Sequence, residues 1–230
     1  MMSDSTSLTW SRHLVLLFQL YKLPDPLSLM NSPAWEKSRW SLTVKTMITA
    51  HHEAVWREKA AQNSKLTFLN VQASGLSGRP HPVLKGIMNT QEVLQSRVHI
   101  KMLAGDYPCQ QYLSFDRSQD PTCLICRTSK TEDMVHLLSM CRATGETRAR
   151  IIPELLNTLS VYFPTNELLV SLSHAQLTQF ILDPTSLNLP QDTRISPNHP
   201  ALHLVLTICR KYCFAVHKDR ARQLKLIRQK

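Results

Sequence analysis

PTCLICRTSKTEDMVHLLSMC, residues 121–141, holds three of the chain's six cysteines and one of its ten histidines. The pattern is C-x2-C-x9-H-x4-C, at Cys123, Cys126, His136 and Cys141. Three thiolates and one imidazole form a closed tetrahedral set for a structural zinc ion. Two cysteines separated by two residues suit a tight turn whose sulfurs converge. In the second half, Ser129 and Glu132 have the spacing of a capping box. A short helix is therefore expected to carry His136, with Cys141 at its end. Five positions on an ideal helix amount to about 140° of rotation. His136 and Cys141 thus reach one metal only where the helix ends or tightens before Cys141. Protein fills all four ligand positions and leaves none for a water nucleophile, so the expected role is structural rather than catalytic. The alternative is a set of buried free cysteines beside a surface histidine.

The flanks read as helices. NTQEVLQSRVHIKMLAG (89–105) places Val93, Leu94, Val98, Met102 and Leu103 on one expected face, with Asn89 or Thr90 as cap and Gly105 as stop. RHLVLLFQLYKL (12–23) is apolar with polar residues interleaved, and Pro24 and Pro26 end it. Ser32-Pro33 suits the start of a long helix over about residues 34–62, on which Trp40, Val44, Met47, Ile48 and Val55 recur at helical spacing. His51 and His52 on it read as surface residues. NVQASGLSGRPHP (70–82) is a break rich in Gly, Ser and Pro. After Cys141 one helix continues to about residue 163, with a second start expected at Pro153. NELLVSLSHAQLTQFIL (166–182) gives two short helical pieces, and DPTSLNLPQDTRISPNHP (183–200) reads as a polar loop. A last helix begins near Pro200.

The expected fold class is mainly α. It comprises a helical connector (1–105), a zinc knuckle (106–145) and a C-terminal helical region (146–230) with a basic last helix. Five glycines against 13 prolines agree with helices punctuated by proline. The longest apolar run, Leu14–Phe18, is far short of the roughly 20 residues of a spanning helix. It is also short for a signal-peptide core, so a nuclear or cytoplasmic location with reduced cysteines is expected.

The chain of 230 residues carries a formal charge of +10, which favours polyanions. Residues 191–230 hold nine Lys/Arg against two Asp/Glu, seven of those ten net charges. Arg210, Lys211, Lys218, Arg220, Arg222, Lys225 and Arg228 are the candidates for holding RNA or DNA through phosphates. Lys211, Lys218, Arg222 and Lys225 share a helical face opposite an apolar stripe of Leu202, Val205, Cys209, Tyr212 and Val216. The same face could be solvated, an import signal, or a surface for an acidic protein. Cys209, Cys213 and His217 repeat at four-residue steps; burial is preferred to a second metal site. Cys109 is a spare ligand candidate. The chain has no nucleophile-elbow motif or phosphate-cradling glycine loop.

VLQSRVHIKMLAGDYP followed by CLICRTSKTEDMVHLLSMC resembles the zinc-binding region at the C-terminal end of LINE-type, non-LTR retrotransposon reverse transcriptases. The likeness rests on Gly105-Asp106-Tyr107 ahead of the CxxC, then on Glu132, His136, Leu138 and Cys141. The upstream LYKLPDPLSLM, AWEKSRWSLTVKTMITAHHEAVWREKA and SKLTFL resemble that family's helical connector, and HPALHLVLTICRKYCFAVHKDR resembles the helix after the knuckle. The resemblance implies gripping of template RNA or target DNA, with a separate polymerase or an acidic protein as possible partner. It does not extend to catalysis. The chain has no adjacent Asp-Asp pair for polymerisation and no endonuclease constellation. The expectation is therefore a non-catalytic module; the alternative is a protein-interaction scaffold with a purely structural zinc.

Overall fold

The computed structural model describes residues 10–25, 28–29, 31, 36–73, 80–87, 89–113, 120–163 and 171–229. The chain is mainly α-helical, and no strand forms among the described residues. It divides into two compact units, one containing the described residues up to Ala60 and the other running from Ala61 onward. The boundaries expected at 105/106 and 145/146 fall inside the second unit. The expected cap at Ser32-Pro33, most of the 70–82 break and the first short helical piece of 166–182 lie outside the described residues.

In the first unit, α1 spans Trp10–Leu20 and α2 spans Lys37–Gln62, the latter running just past the unit's end. Helix α1 closes before Pro24: Lys22 takes the left-handed conformation (φ 53°) and Leu23 N donates to Phe18 O (2.8 Å). That is a C-terminal closure usually given to glycine. Phe18 stacks on Trp40 at 6.0 Å, and Tyr21 packs on both His51 and His52. The two histidines are thus aromatic neighbours of a tyrosine.

The second unit holds α3 (Thr90–Leu103), a four-residue α4 (Gln110–Leu113), α5 (Gly145–Tyr162), α6 (His174–Leu182) and α7 (Ala201–Arg228). Helix α7 packs along both α3 and α5. Its stripe of Leu202, Val205, Cys209, Tyr212 and Val216 is buried, as its spacing requires. Asn89 caps α3 by accepting from Glu92 N (2.9 Å), and Gly105 takes φ 66° after it. A side chain at Gly105 would also strike Lys65 O at 2.5 Å.

Three expectations change. The buried face of α3 is Gln95, Ser96, His99, Met102 and Leu103, while Val93 and Leu94 are exposed. His99 is held inside by donating from Nε2 to Leu182 O (2.8 Å), and burial lowers its pKa to about 4. Pro153 does not open a helix. It lies within α5, which is set by the buried i+4 series Thr147, Ile151, Leu155 and Leu159.

The 183–200 segment is irregular but not a solvated loop: Asp183, Thr185, Ser186, Leu189 and Ile195 are buried. Asp183 organises it. Its Oδ2 accepts from Asn70 N (2.8 Å) and lies 3.2 Å from His81 Nε2. Its Oδ1 accepts from Thr185 N and Oγ1 (3.0 and 2.6 Å). Every polar group of a buried turn needs a partner, and one carboxylate accepts three hydrogen bonds and faces the His81 ring besides.

Burial alone would raise the Asp183 pKa. The contact with His81, then the donors of Thr185 and Asn70, outweigh it and hold the carboxyl below its ordinary value. A depressed folded pKa adds stability above the unfolded value of about 3.9, and that stability is lost as pH falls through the folded value. Unfolding midpoints are therefore expected to drop below about pH 4. Asp183→Asn is expected to cost about 2–4 kcal/mol at neutral pH and to flatten that acid limb. Thermal melts followed across pH check both.

Candidate metal centre

Cys123 and Cys126 sit on a narrow turn. Cys123 N donates to Lys130 O (2.9 Å) and Arg127 N donates back to Cys123 O (3.1 Å). An antiparallel bridge between Thr122 and Thr131 closes the loop, and Arg127 takes φ 52° to reverse the chain. Leu124 and Ile125 lie between the sulfurs; Ile125 packs inward and Leu124 stays exposed.

The second half departs from expectation in an informative way. Ser129 caps nothing among the described contacts, because Glu132 is buried and bound elsewhere. Asp133 is the cap, its Oδ1 accepting from His136 N (2.6 Å). His136–Met140 then form a π-turn, closed by Cys141 N donating to His136 O (2.6 Å). An i→i−5 bond widens the turn so that the fifth residue returns above the first. The helix ends before Cys141, one of the two expected solutions to the His136–Cys141 spacing, and it does so by loosening its last turn rather than tightening it.

The last carbonyls of a helix have no intrahelical donor, and here Thr144 and side chains of the neighbouring helices take them. Thr144 Oγ1 donates to Leu137 O (3.0 Å) and Cys141 O (3.1 Å). Tyr212 OH donates to Leu138 O, and Arg148 Nη2 to Cys141 O (3.2 Å). The ligand turn is thus docked on α5 and α7 by polar contacts as well as by buried Leu137 and Leu138.

The four ligand atoms, three Sγ and a histidine nitrogen, lie within 4.8 Å of one another, and this is the one such group among the described residues. Cys123 Sγ and Cys141 Sγ are 3.9 Å apart, and Cys126 Sγ and His136 Nε2 3.3 Å. Metal–sulfur bonds of about 2.3 Å in a tetrahedron put sulfurs about 3.8 Å apart. The cluster can hold a four-coordinate metal ion with little movement. Thr128 Oγ1, 3.0 Å from Cys126 Sγ, can donate to that sulfur as a thiolate. Hydrogen bonding between Cys123 and Cys141 raises the first thiol's pKa and lowers the second's. Burial lowers that of His136, favouring the neutral imidazole a metal needs.

Cys109 is buried outside this group. Cys209 and Cys213 are core residues, burial pushing the Cys209 thiol up to about 12. His217 Nδ1 meets Tyr107 OH at 3.0 Å instead of a metal partner.

The basic candidates separate into two classes. Lys211, Lys218, Arg222, Lys225 and Arg228 are exposed. Of these, Lys211 pairs with Glu154 (3.0 Å) and Arg222 with Asp219 (3.1 Å), and Lys218 stands over the Phe214 ring. Arg210 and Arg220 are buried and cannot lie on a phosphate-facing surface. Arg210 Nη2 donates to Val83 O (3.1 Å) and Lys85 O (2.5 Å). Arg220 Nε donates to Glu132 Oε1 (2.6 Å) and its Nη2 to Pro108 O (2.8 Å). Sequence reasoning gave Glu132 a capping role in place of its bond to Arg220, and missed Asp133 and Thr144. Only Asp133, three residues before His136, had a readable signal as a helix cap.

No protein-family model matches the chain, and neither a curated protein nor a solved structure matches it. Metal analysis of the purified protein is expected to give one divalent ion per chain. Cys126→Ser or a chelator is expected to open residues 106–142 to protease while α2 stays protected, because metal-binding free energy here is local folding free energy. Limited proteolysis with mass mapping checks this.

Proposed function

We propose that the chain is a non-catalytic, zinc-binding nucleic-acid-binding module. The single observation that carries this is the closed Cys3His cluster docked on the helix that bears five exposed cations. Three thiolates and one imidazole in a tetrahedron suit zinc, which needs no redox change to hold a loop. Zinc fixes the turn at 123–127 and the π-turn, and the π-turn braces α7. Helix α7 then presents Lys211, Lys218, Arg222, Lys225 and Arg228 to phosphates. The resemblance to the tail of non-LTR retrotransposon reverse transcriptases points the same way, toward gripping RNA or DNA while a separate polymerase does the chemistry.

A second reading is a protein-interaction scaffold. It draws on a surface cavity of about 590 Å³ beside the exposed apolar residues Val161, Tyr162 and Leu204 on α5 and α7. A partner that survives nuclease treatment in a pull-down would favour it.

Binding through phosphates releases counterions, so log K falls with log salt by about 0.9 per contact on duplex. Lys218→Ala and Lys225→Ala are each expected to weaken binding by severalfold and to flatten the salt slope by about 1. Arg210→Met is expected to leave the slope unchanged, since the guanidinium is inside. Anisotropy titrations over a salt series decide it, and affinity that is flat with salt would reject the reading.

A further inference from the structure

We propose that the cavity between the Tyr107–Pro108 turn and the last turns of α7 takes one unstacked nucleotide of a single strand. The inference rests on the nucleic-acid reading above and adds a site and a strand preference to it.

The cavity has a volume of about 340 Å³, within the roughly 300–1,000 Å³ of small-ligand pockets. Tyr107, Pro108, His217, Arg220 and Leu224 line it, and Lys225 and Arg228 stand along its wall. Its floor is pre-set. Arg220 is locked by Glu132 and Pro108 O, with its guanidinium carbon 5.6 Å from the centre of the Tyr107 ring. The imidazole of His217 is fixed through Nδ1 to Tyr107 OH and lies edge-on to that ring at 5.8 Å. Burial, then the charges of Arg220 and Lys101, lower the His217 pKa, so the ring presents a neutral flat surface at pH 7. Tyr107 and Arg220 are almost wholly buried, so the accessible inner wall is the half-buried His217 ring with Leu224, and a base stacks on the imidazole face.

The rim is cationic. No carboxylate lines the cavity among the described residues, and Glu132 is spent on Arg220 behind the floor. Lys225 and Arg228 also lie at the C-terminal end of α7, where the helix carries a partial charge of about −0.5. Two full positive charges exceed that, so the rim keeps a positive surplus for a phosphate. A flat imidazole wall beneath a cationic rim matches a base with its own phosphate. Paired, stacked bases cannot enter a cavity this size; a duplex would offer only its backbone to the same cations.

The test uses the intact, metal-loaded chain with a short labelled single strand, the blunt duplex of the same sequence, and adenosine monophosphate as competitor. Ala221 is an exposed lining residue of the cavity, and Ala221→Leu narrows it without changing charge and at little cost in helix propensity. The single strand is expected to bind about tenfold tighter than the duplex, as loss of one stacked base would imply. Ala221→Leu is expected to erase that margin while duplex affinity and melting temperature stay as in the parent. Equal affinity for both forms, or a margin untouched by Ala221→Leu, overturns the nucleotide site and leaves the phosphate reading standing. Loss of binding to every nucleic acid overturns both. Adenosine monophosphate competing as well as the strand itself overturns the strand assignment in favour of a free nucleotide.

Discussion

A buried ion pair between Glu132 and Arg220 joins the metal-ligand loop to the last helix, and much of the larger unit is arranged around it. Glu132 has no exposure and Arg220 very little. Removing one partner of such a pair typically costs about 3–5 kcal/mol, because the other charge stays buried without compensation. Glu132 lies between Cys126 and His136 in sequence, so the pair fixes the loop that must bring both halves of the ligand set together. Through Pro108 O and the Tyr107 ring it also fixes the turn that follows α3. The guanidinium is held by mutual attraction, and Glu132 raises its pKa against the opposing effect of burial.

Much of the fold could be read from spacing alone. The ligand pattern, the apolar stripe of α7, the Asn89 cap and the mainly helical class all follow from short-range periodicity. What could not be read were contacts whose partners lie far away in sequence. Ser129 and Glu132 have the local form of a capping box, yet Glu132 meets a residue 88 positions on. The long-range pair is buried and charged, and it outweighs a cap worth about 1 kcal/mol. Asp183 similarly makes an apparently polar loop part of the interior by answering donors from residues 70 and 185. On α3, His99 faces inward because Leu182 O is there to accept from its Nε2, and hydrophobicity gives no sign of that.

Charge counting had a comparable blind spot. The surplus in residues 191–230 is a property of composition, but two of its arginines act inside the molecule. Arg210 is fully buried and donates from Nη2 to backbone carbonyls of the 83–85 turn, and burial lowers its pKa. Arginine tolerates this better than lysine because its charge is delocalised and weakly hydrated. The outward charge of α7 is therefore carried by lysines and by arginines near its end, a narrower band than the sequence suggests.

The π-turn at His136–Met140 has a consequence for the allowable length of this segment. One residue fewer between histidine and cysteine would restore an ordinary four-residue stagger, and both ligands would still share a face of a regular helix. That shorter version would bind metal equally well in isolation. It would, however, re-aim the end carbonyls Leu137 O, Leu138 O and Cys141 O by one residue step, away from Thr144, Tyr212 and Arg148. The additional residue is thus an attachment device: it turns a self-contained metal loop into one that cannot be lifted from its neighbouring helices without stranding their hydroxyl and guanidinium protons.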